Sequence, residues 1–341
     1  MKKYLLPQEG KFYKANLHCH SVLSDGKLTP EELKEEYKGR GYSVLAYTDH
    51  DIMISHQDLA DDEFLPLNGY EMEVNESGKQ RWEDTKTCHM CLIALEPDNL
   101  KQVCWHPDNY LFANAVKHKD KIQFYENEAP YIREYSAQGV SDMMKRGREQ
   151  GFFVTYNHPT WSTEGYEEYI GYHHMHAMEI CNYGCVVEGY EEYNPRVYDD
   201  MLRAGKKLYC IGADDNHNRG KKGTADWDSG GAWVMIKAKE LEYRTITKAL
   251  EEGNFYSSQG PEIHELWLED GRIHVNTSEA EKILFNFGNR QAGGFAAEEG
   301  QSISRASMEV EASNIYVRVT VIDHKGRCAN SNAYFLENFV V

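Results

Sequence analysis

Short apolar runs alternate with amphipathic helical stretches through the first two-thirds of the chain, the pattern of successive strand–helix units in a parallel sheet. The clearest unit opens with the run 12–17. A helix follows at Thr29-Pro30-Glu31-Glu32, where Thr29 can cap, Pro30 suits the first helical position and Glu32 completes a capping box. Leu33 and Tyr37 supply its apolar face, Gly39 and Gly41 end it, and 43–48 is the next strand. The same rhythm predicts helices over 136–150, 191–204 and 241–252. Strands are predicted over 152–156, 177–182, 207–211 and 232–236, with apolar runs at 65–70 and 87–95.

Residues 96–150 form the longest stretch between these strands and mix aromatic with charged residues (Trp105, Tyr110, Phe112, Phe124, Tyr125, Tyr131). An insertion or helical cap fits better than a structureless loop of that length. After Pro261 the pattern changes to short alternating segments, 265–268, 272–275, 282–287, 315–321 and 333–340, separated by Gly, Asn and Asp turns. The expected organisation is therefore an α/β barrel-like domain over 1–260, carrying the insertion, and a small all-β, sandwich-like domain over 261–341.

Composition narrows the class. With 341 residues, 41% hydrophobic and 27% charged, the chain lies in the globular range. Its 37 basic and 55 acidic residues leave a net charge of −18, which disfavours a broad nucleic-acid or membrane-surface binder. There is no run of 18 apolar residues and no signal-like N-terminal stretch, and the eight cysteines are scattered. A cytoplasmic protein with reduced thiols is expected, acting on a small molecule rather than on a membrane or a nucleic acid.

The chemistry lies in where histidines and carboxylates fall relative to the strands. His18-Cys19-His20 follows the first strand, with Asp25 in the loop beyond. Asp49-His50-Asp51 follows the second, Glu71 ends the run 65–70, and His89 sits in 87–95. Asn157-His158-Pro159 and Asp214-Asp215-Asn216-His217 follow two later strands. In a closed parallel barrel the strand C-terminal ends converge on one face, so these segments would deliver His, Asp and Glu to one place. His18 and His20, two apart on an extended segment, point the same way. Imidazole and carboxylate ligands without an obligatory thiolate suit zinc, manganese or iron. Six neutral histidines and three carboxylates leave room for several divalent ions, balanced by a dianionic phosphate and a hydroxide.

These motifs, in this order, resemble the PHP (polymerase and histidinol phosphatase) metallohydrolases over roughly residues 12–260: His18-Cys19-His20 with Asp25, Thr48-Asp49-His50, Gly69-Tyr70-Glu71, His89, Asn157-His158-Pro159 and Asp215-Asn216-His217. The resemblance implies a distorted TIM-like (β/α)7 barrel with three divalent ions. His18, His20, Glu71 and Asp215 would hold the first. Glu71 would bridge to a second, completed by His89 and His158, and Asp25, His50 and His217 would hold the third. Asp215 is preferred over Asp214 because Asp-x-His matches the family spacing. The implied activity is hydrolysis of a phosphoester by a metal-activated hydroxide, with Asp49 and Asp51 as catalytic carboxylates that orient imidazoles or take a proton.

Phosphate-acting members tend to carry an Arg near the His-Pro motif, where this chain reads Thr160-Trp161-Ser162. Trp161, Arg81, Arg219 and Lys221 are the substrate-binding candidates. The segments 230–234 and 326–332 look more like the branch with ester- and carbamate-cleaving members. Two alternatives therefore stand beside a phosphoesterase: an ester, amide or carbamate hydrolase on the same barrel, and a metal-stabilised, non-catalytic binding protein. Cys88 and Cys91 would face opposite sides of a strand and so cannot chelate together. His173, His174 and His176 precede a strand, at the end away from the site, and Glu179 is placed to support the site rather than to ligate.

Overall fold

The computed structural model describes residues 2–338. A short β1 (Lys3–Tyr4) leads into β2 (Lys11–Asn16), α1 (Pro30–Lys38), β3 (Val44–Tyr47), β4 (Leu65–Asn75) and β5 (Thr87–Ala94). Between β5 and the next helix lie β6 (Lys101–Gln102), a 3-10 stretch Ala113–Lys121 and β7 (Gln123–Phe124). Then follow α2 (Ala137–Glu149), β8 (Phe152–Tyr156), α3 (Tyr166–Tyr169), β9 (Ala177–Asn182), α4 (Tyr183–Glu188), α5 (Pro195–Arg203), β10 (Tyr209–Ala213), β11 (Trp233–Ala238), α6 (Tyr243–Glu251) and β12 (Phe255–Ser258). The remainder is β13 (Ile263–Glu269), β14 (Arg272–Ala280), β15 (Lys282–Phe287), β16 (Ala292–Ala296), β17 (Ile303–Glu309), β18 (Tyr316–Ile322), β19 (Cys328–Ser331) and β20 (Tyr334–Phe335). The predicted strand 333–340 reduces to β20 and one 3-10 turn, and its last residues, from 339 on, lie outside the described residues.

Helix α1 forms for the reasons its sequence carries. The Thr29 hydroxyl accepts from the Glu32 amide at 3.2 Å, and the Glu32 carboxylate accepts from the Thr29 amide at 2.9 Å. Leu33 and Tyr37 are fully buried, each stabilising the packed face by about 2 kcal/mol.

The molecule is a mixed α/β fold built on one large sheet, ordered β10-β9-β8-β5-β4-β3-β2-β11-β12-β19-β18-β15-β16. Two parallel groups, β2–β3–β4 and β8–β9–β10, flank β5, which runs antiparallel to both neighbours. The wholly parallel arrangement expected from the sequence is thus broken at β5, and again at β11, the strand expected over 232–236, which runs antiparallel to β2 and β12. An eleven-residue connection, with one 3-10 turn at Trp82–Asp84 and no α-helix, joins β4 to β5 and folds back as a hairpin, whereas a parallel crossover needs a dozen or more residues.

The hydrogen-bonded ladder is also open among the described strands, where a closed barrel was expected. β10 carries a register shift between Ile211 and Gly212, and the Cys210 amide donates to Asn332 Oδ1 at 3.0 Å instead of to a neighbouring strand. The Asn332 side-chain amide in turn donates to the Gly253 and Phe255 carbonyls at 3.1 and 3.0 Å. One buried apolar cluster nonetheless draws on strands β2 to β12, including Ala15, Val44, Leu67, Ile93, Phe153, Ile211 and Val234.

The C-terminal strands continue this sheet through β12 and β19, while β13, β14 and β17 form a second, four-stranded sheet with β1. A buried Arg318–Asp199 ion pair at 2.8 Å ties β18 to α5. No helix among the described residues is long and apolar enough to cross a membrane.

Candidate metal centre

Beyond β2 the chain stays extended, so His18 and His20 face one side while Cys19 packs on the other with Tyr37 and Leu45. The Asp215 amide donates to the His18 carbonyl at 3.0 Å, and the His20 amide to the Asn216 carbonyl at 3.1 Å. An isolated bridge Cys19–Asn216 therefore holds the two segments side by side. A second isolated bridge sets His50 against Glu71. His89 reaches the same face from the start of β5, since an antiparallel strand begins where its parallel neighbours end. His158 and Asp215 both adopt left-handed backbone, at φ 25° and 50°. For non-glycine residues this is strain that surrounding contacts must hold, and it recurs at functional sites.

Glu71 is the hub. Its carboxylate lies 3.2 Å from His18 Nε2, 3.4 Å from His20 Nε2, 3.1 Å from His50 Nδ1, 3.3 Å from His89 Nδ1 and 3.4 Å from His158 Nε2. Asp215 Oδ1 sits 2.9 Å from His20 Nε2 and 3.2 Å from His18 Nε2. On the outer side Asp25 Oδ1 is 3.3 Å from His217 Nε2 and 3.8 Å from His50 Nε2. All nine proposed ligands thus fall in one cluster. Three of its subsets are His18, His20, Glu71 and Asp215; His20, Asp25, His50 and His217; and His50, Glu71 and His89, each close enough to share an ion.

The donor set fits such ions. His50 Nδ1, His89 Nδ1, Glu71 Oε2 and Asp215 Oδ1 are buried and make no hydrogen bond. Buried polar atoms are otherwise nearly always paired, so four lone-pair bearers converging unpaired point to a cation. Burial opposes ionisation of Glu71, but His18 and His89 beside it hold its carboxyl well below the usual range. Burial, then His20, keeps His50 neutral with a free lone pair.

The supporting groups are equally specific. Glu179 accepts from His18 Nδ1 at 2.7 Å and from the His158 amide at 3.0 Å, leaving His18 Nε2 for the cluster. Asp214, the neighbour of Asp215, is withdrawn: it accepts from the amides of Gly230, Gly231 and Ala232 at 2.6, 2.9 and 3.0 Å and from the Tyr37 hydroxyl at 2.9 Å.

Several expectations change. Asp49, read as a catalytic carboxylate, accepts from the amides and hydroxyls of Ser21 and Ser24 at 2.6–3.1 Å and so shapes the loop bearing Asp25. Asp51 forms a buried fork with Arg133, whose Nη1 lies 2.9 Å from Oδ2. Neither carboxylate lines the cavity over the cluster. Arg81 is exposed and pairs with Glu83 and Asp84, and Lys221 is exposed; both stand away from that cavity, since polar loops keep long cations in solvent. Trp161 and Arg219 do line it, with Arg219 ion-paired to Asp25. His173, His174 and His176 stand apart from the cluster, and all eight cysteines are buried and free.

Sequence reasoning missed Arg133 and Glu73. Arg133 Nη1 also donates to the Glu73 carbonyl at 2.8 Å, so one side chain clamps the His50 turn to β4. Nothing in its irregular segment marks it. Glu73 Oε2 lies 3.4 Å from His89 Nε2, and its place two residues after Glu71, on the same strand face, was a usable signal.

No family model matches the chain. A 5'-3' exoribonuclease of Haemophilus influenzae is 39% identical over 70 residues, 19% of this chain. The match spans only 26% of that relative's length. Among solved structures, a two-domain protein from Bacteroides vulgatus, described as containing a predicted PHP-like metal-dependent phosphoesterase, aligns over 94% of both chains at 15% identity and a TM-score of 0.47. An amidohydrolase from Chromobacterium violaceum, solved with bound sulfate and no metal, aligns over 71% of this chain and 96% of its own at 17% identity and a TM-score of 0.38.

Proposed function

We propose that this chain is a metal-dependent hydrolase of the PHP type, cleaving a phosphoester of a small molecule in the cytoplasm with three divalent ions. The observation that carries the reading is Glu71 among five imidazoles, with buried donor atoms left unpaired at the cluster's heart. His18, His20, Glu71 and Asp215 would hold one ion; Glu71, His89 and His158 a second; Asp25, His50 and His217 a third. Zinc, manganese or iron suits these ligands. Bound there, the ions supply Lewis acidity and an activated water at neutral pH.

The chain's own residues do the rest. Glu179 fixes the tautomer and orientation of His18 by accepting a hydrogen bond from its Nδ1–H, and Glu73 faces His89 Nε2. Arg219 stands at the outer edge, ion-paired with Asp25. The cavity, about 360 Å³, suits a small molecule.

A panel of phosphomonoesters and phosphodiesters, assayed with metal-loaded protein, tests the proposal. Turnover that disappears in His18→Ala supports it, and no turnover of any phosphate ester with full metal loading overturns it. One observation favours a second reading. Trp161 rather than a cation stands against His89 and His158, as would suit an uncharged carboxyl ester, amide or carbamate. The same panel extended to those bonds separates the two.

A further inference from the structure

The cavity over the cluster has two unlike sides. Facing the histidines and carboxylates is a wall of aromatic rings. The Trp161 ring centre lies 5.0 Å from that of His158 and 5.2 Å from that of His89. Trp82 stands 5.8 Å beyond Trp161 at 60°, and Phe112 lies 5.4 Å from His50.

Trp161 is built into place. Fully buried Glu192 accepts from the Thr160 and Trp161 amides at 3.1 and 2.7 Å, and the indole Nε1 donates to Glu188 Oε2 at 3.3 Å. Trp82, by contrast, is 64% exposed at the cavity's edge, a large apolar surface that a ligand could cover. The carboxylate in contact with this side is Glu188, which the Trp161 indole meets. Arg219, the basic residue among the described lining residues, is already paired with Asp25.

Resting on the hydrolase reading above, we infer that Trp82, Phe112 and Trp161 form the leaving-group subsite, and that it selects a flat, aromatic leaving group without negative charge. A planar group stacks on indole faces whatever its detailed hydrogen-bonding pattern. A second phosphate or a carboxylate on the leaving group would meet Glu188 and find no unpaired cation to receive it. The acceptor side of the substrate, over the ions, is anionic; the departing side is not. The natural substrate is accordingly an aryl or heteroaryl ester bearing one anionic group, rather than a bisphosphate or a polyanion.

The test uses non-hydrolysable probes and titration calorimetry on the full metal-loaded chain. Phenylphosphonate should bind roughly tenfold more tightly than methylphosphonate, and 4-carboxyphenylphosphonate more weakly than phenylphosphonate. Trp161→Ala should erase the phenyl preference, Trp161→Phe should keep most of it, and Glu188→Gln should recover the carboxylated probe. Equal affinity for phenyl and methyl probes, or tighter binding of the carboxylated one, overturns the subsite. Failure of all three probes to bind overturns the phosphoester reading, and this inference with it. Binding of methylphosphonate alone leaves that reading standing and removes only the subsite.

Discussion

Glu71 and Glu164 are both buried carboxylates, and they are furnished in opposite ways. Glu164 is saturated: the Tyr135 hydroxyl donates to Oε1 at 2.9 Å, Tyr172 to the same oxygen, and Tyr156 to Oε2 at 2.6 Å. Burial still raises its pKa to about 7, against those three donors. Glu71 faces five imidazoles, yet its Oε2 accepts no hydrogen bond and its carboxyl is held well below the usual range. A polar cluster that serves only the fold satisfies itself internally. One that leaves lone pairs aimed at each other is arranged for something from outside. Asp214 and Asp215 repeat the contrast in adjacent residues, the first saturated by three backbone amides and a tyrosine, the second with an unpaired oxygen among histidines.

The contrast can be broken by substitution. Glu71→Gln should lower kcat/KM by at least about 10³-fold, equivalent to ~4 kcal/mol of transition-state stabilisation, and deplete bound metal. Glu164→Gln should leave metal content as it is. Steady-state kinetics and elemental analysis read both, and full metal retention in Glu71→Gln would remove the distinction between the two carboxylates.

Arg133 sharpens it, because its buried ion pair with Asp51 abuts the cluster. Arg133→Ala leaves Asp51 buried without its partner and should cost about 3–5 kcal/mol in denaturant unfolding. Unchanged stability would mean that the fork does not hold the His50 turn.

The smallest effect is a pH slope. Glu164 titrates near 7 when folded against an ordinary value of 4.5, so between those values the native state holds a proton that the unfolded chain has released. Stability contributed by this group is therefore present below about pH 4.5 and falls as pH rises to about 7, by up to about 3 kcal/mol. Urea unfolding at pH 5 and 7.5 should show this loss in the native chain and less of it in Glu164→Gln. Equal losses in both proteins would reassign the slope elsewhere.

Much of this was legible in the chain. Helix α1 announced itself through Thr29, Pro30 and Glu32, local chemistry that needs no tertiary context. The segments bearing His18, His50, His158 and His217 each follow an apolar run, and the fold gathers them. The antiparallel β5 was not legible, because its residues are buried on both faces and show no alternation from which direction or pairing could be read. The roles of Asp49 and Asp51 also escaped. Nothing in Asp-His-Asp tells that the first carboxylate turns to Ser21 and Ser24, and the second to an arginine 82 residues away. Such partners are fixed by tertiary packing.

The central claim, that the Glu71 cluster holds divalent ions, is tested most directly by anomalous diffraction from crystals of metal-loaded protein. The account predicts separate anomalous peaks among His18, His20, Glu71, Asp215, His89, His158, Asp25, His50 and His217, absent from Glu71→Gln crystals. A density map with no ion there, and the imidazoles hydrogen-bonded to Glu71 and Asp215 instead, would contradict it.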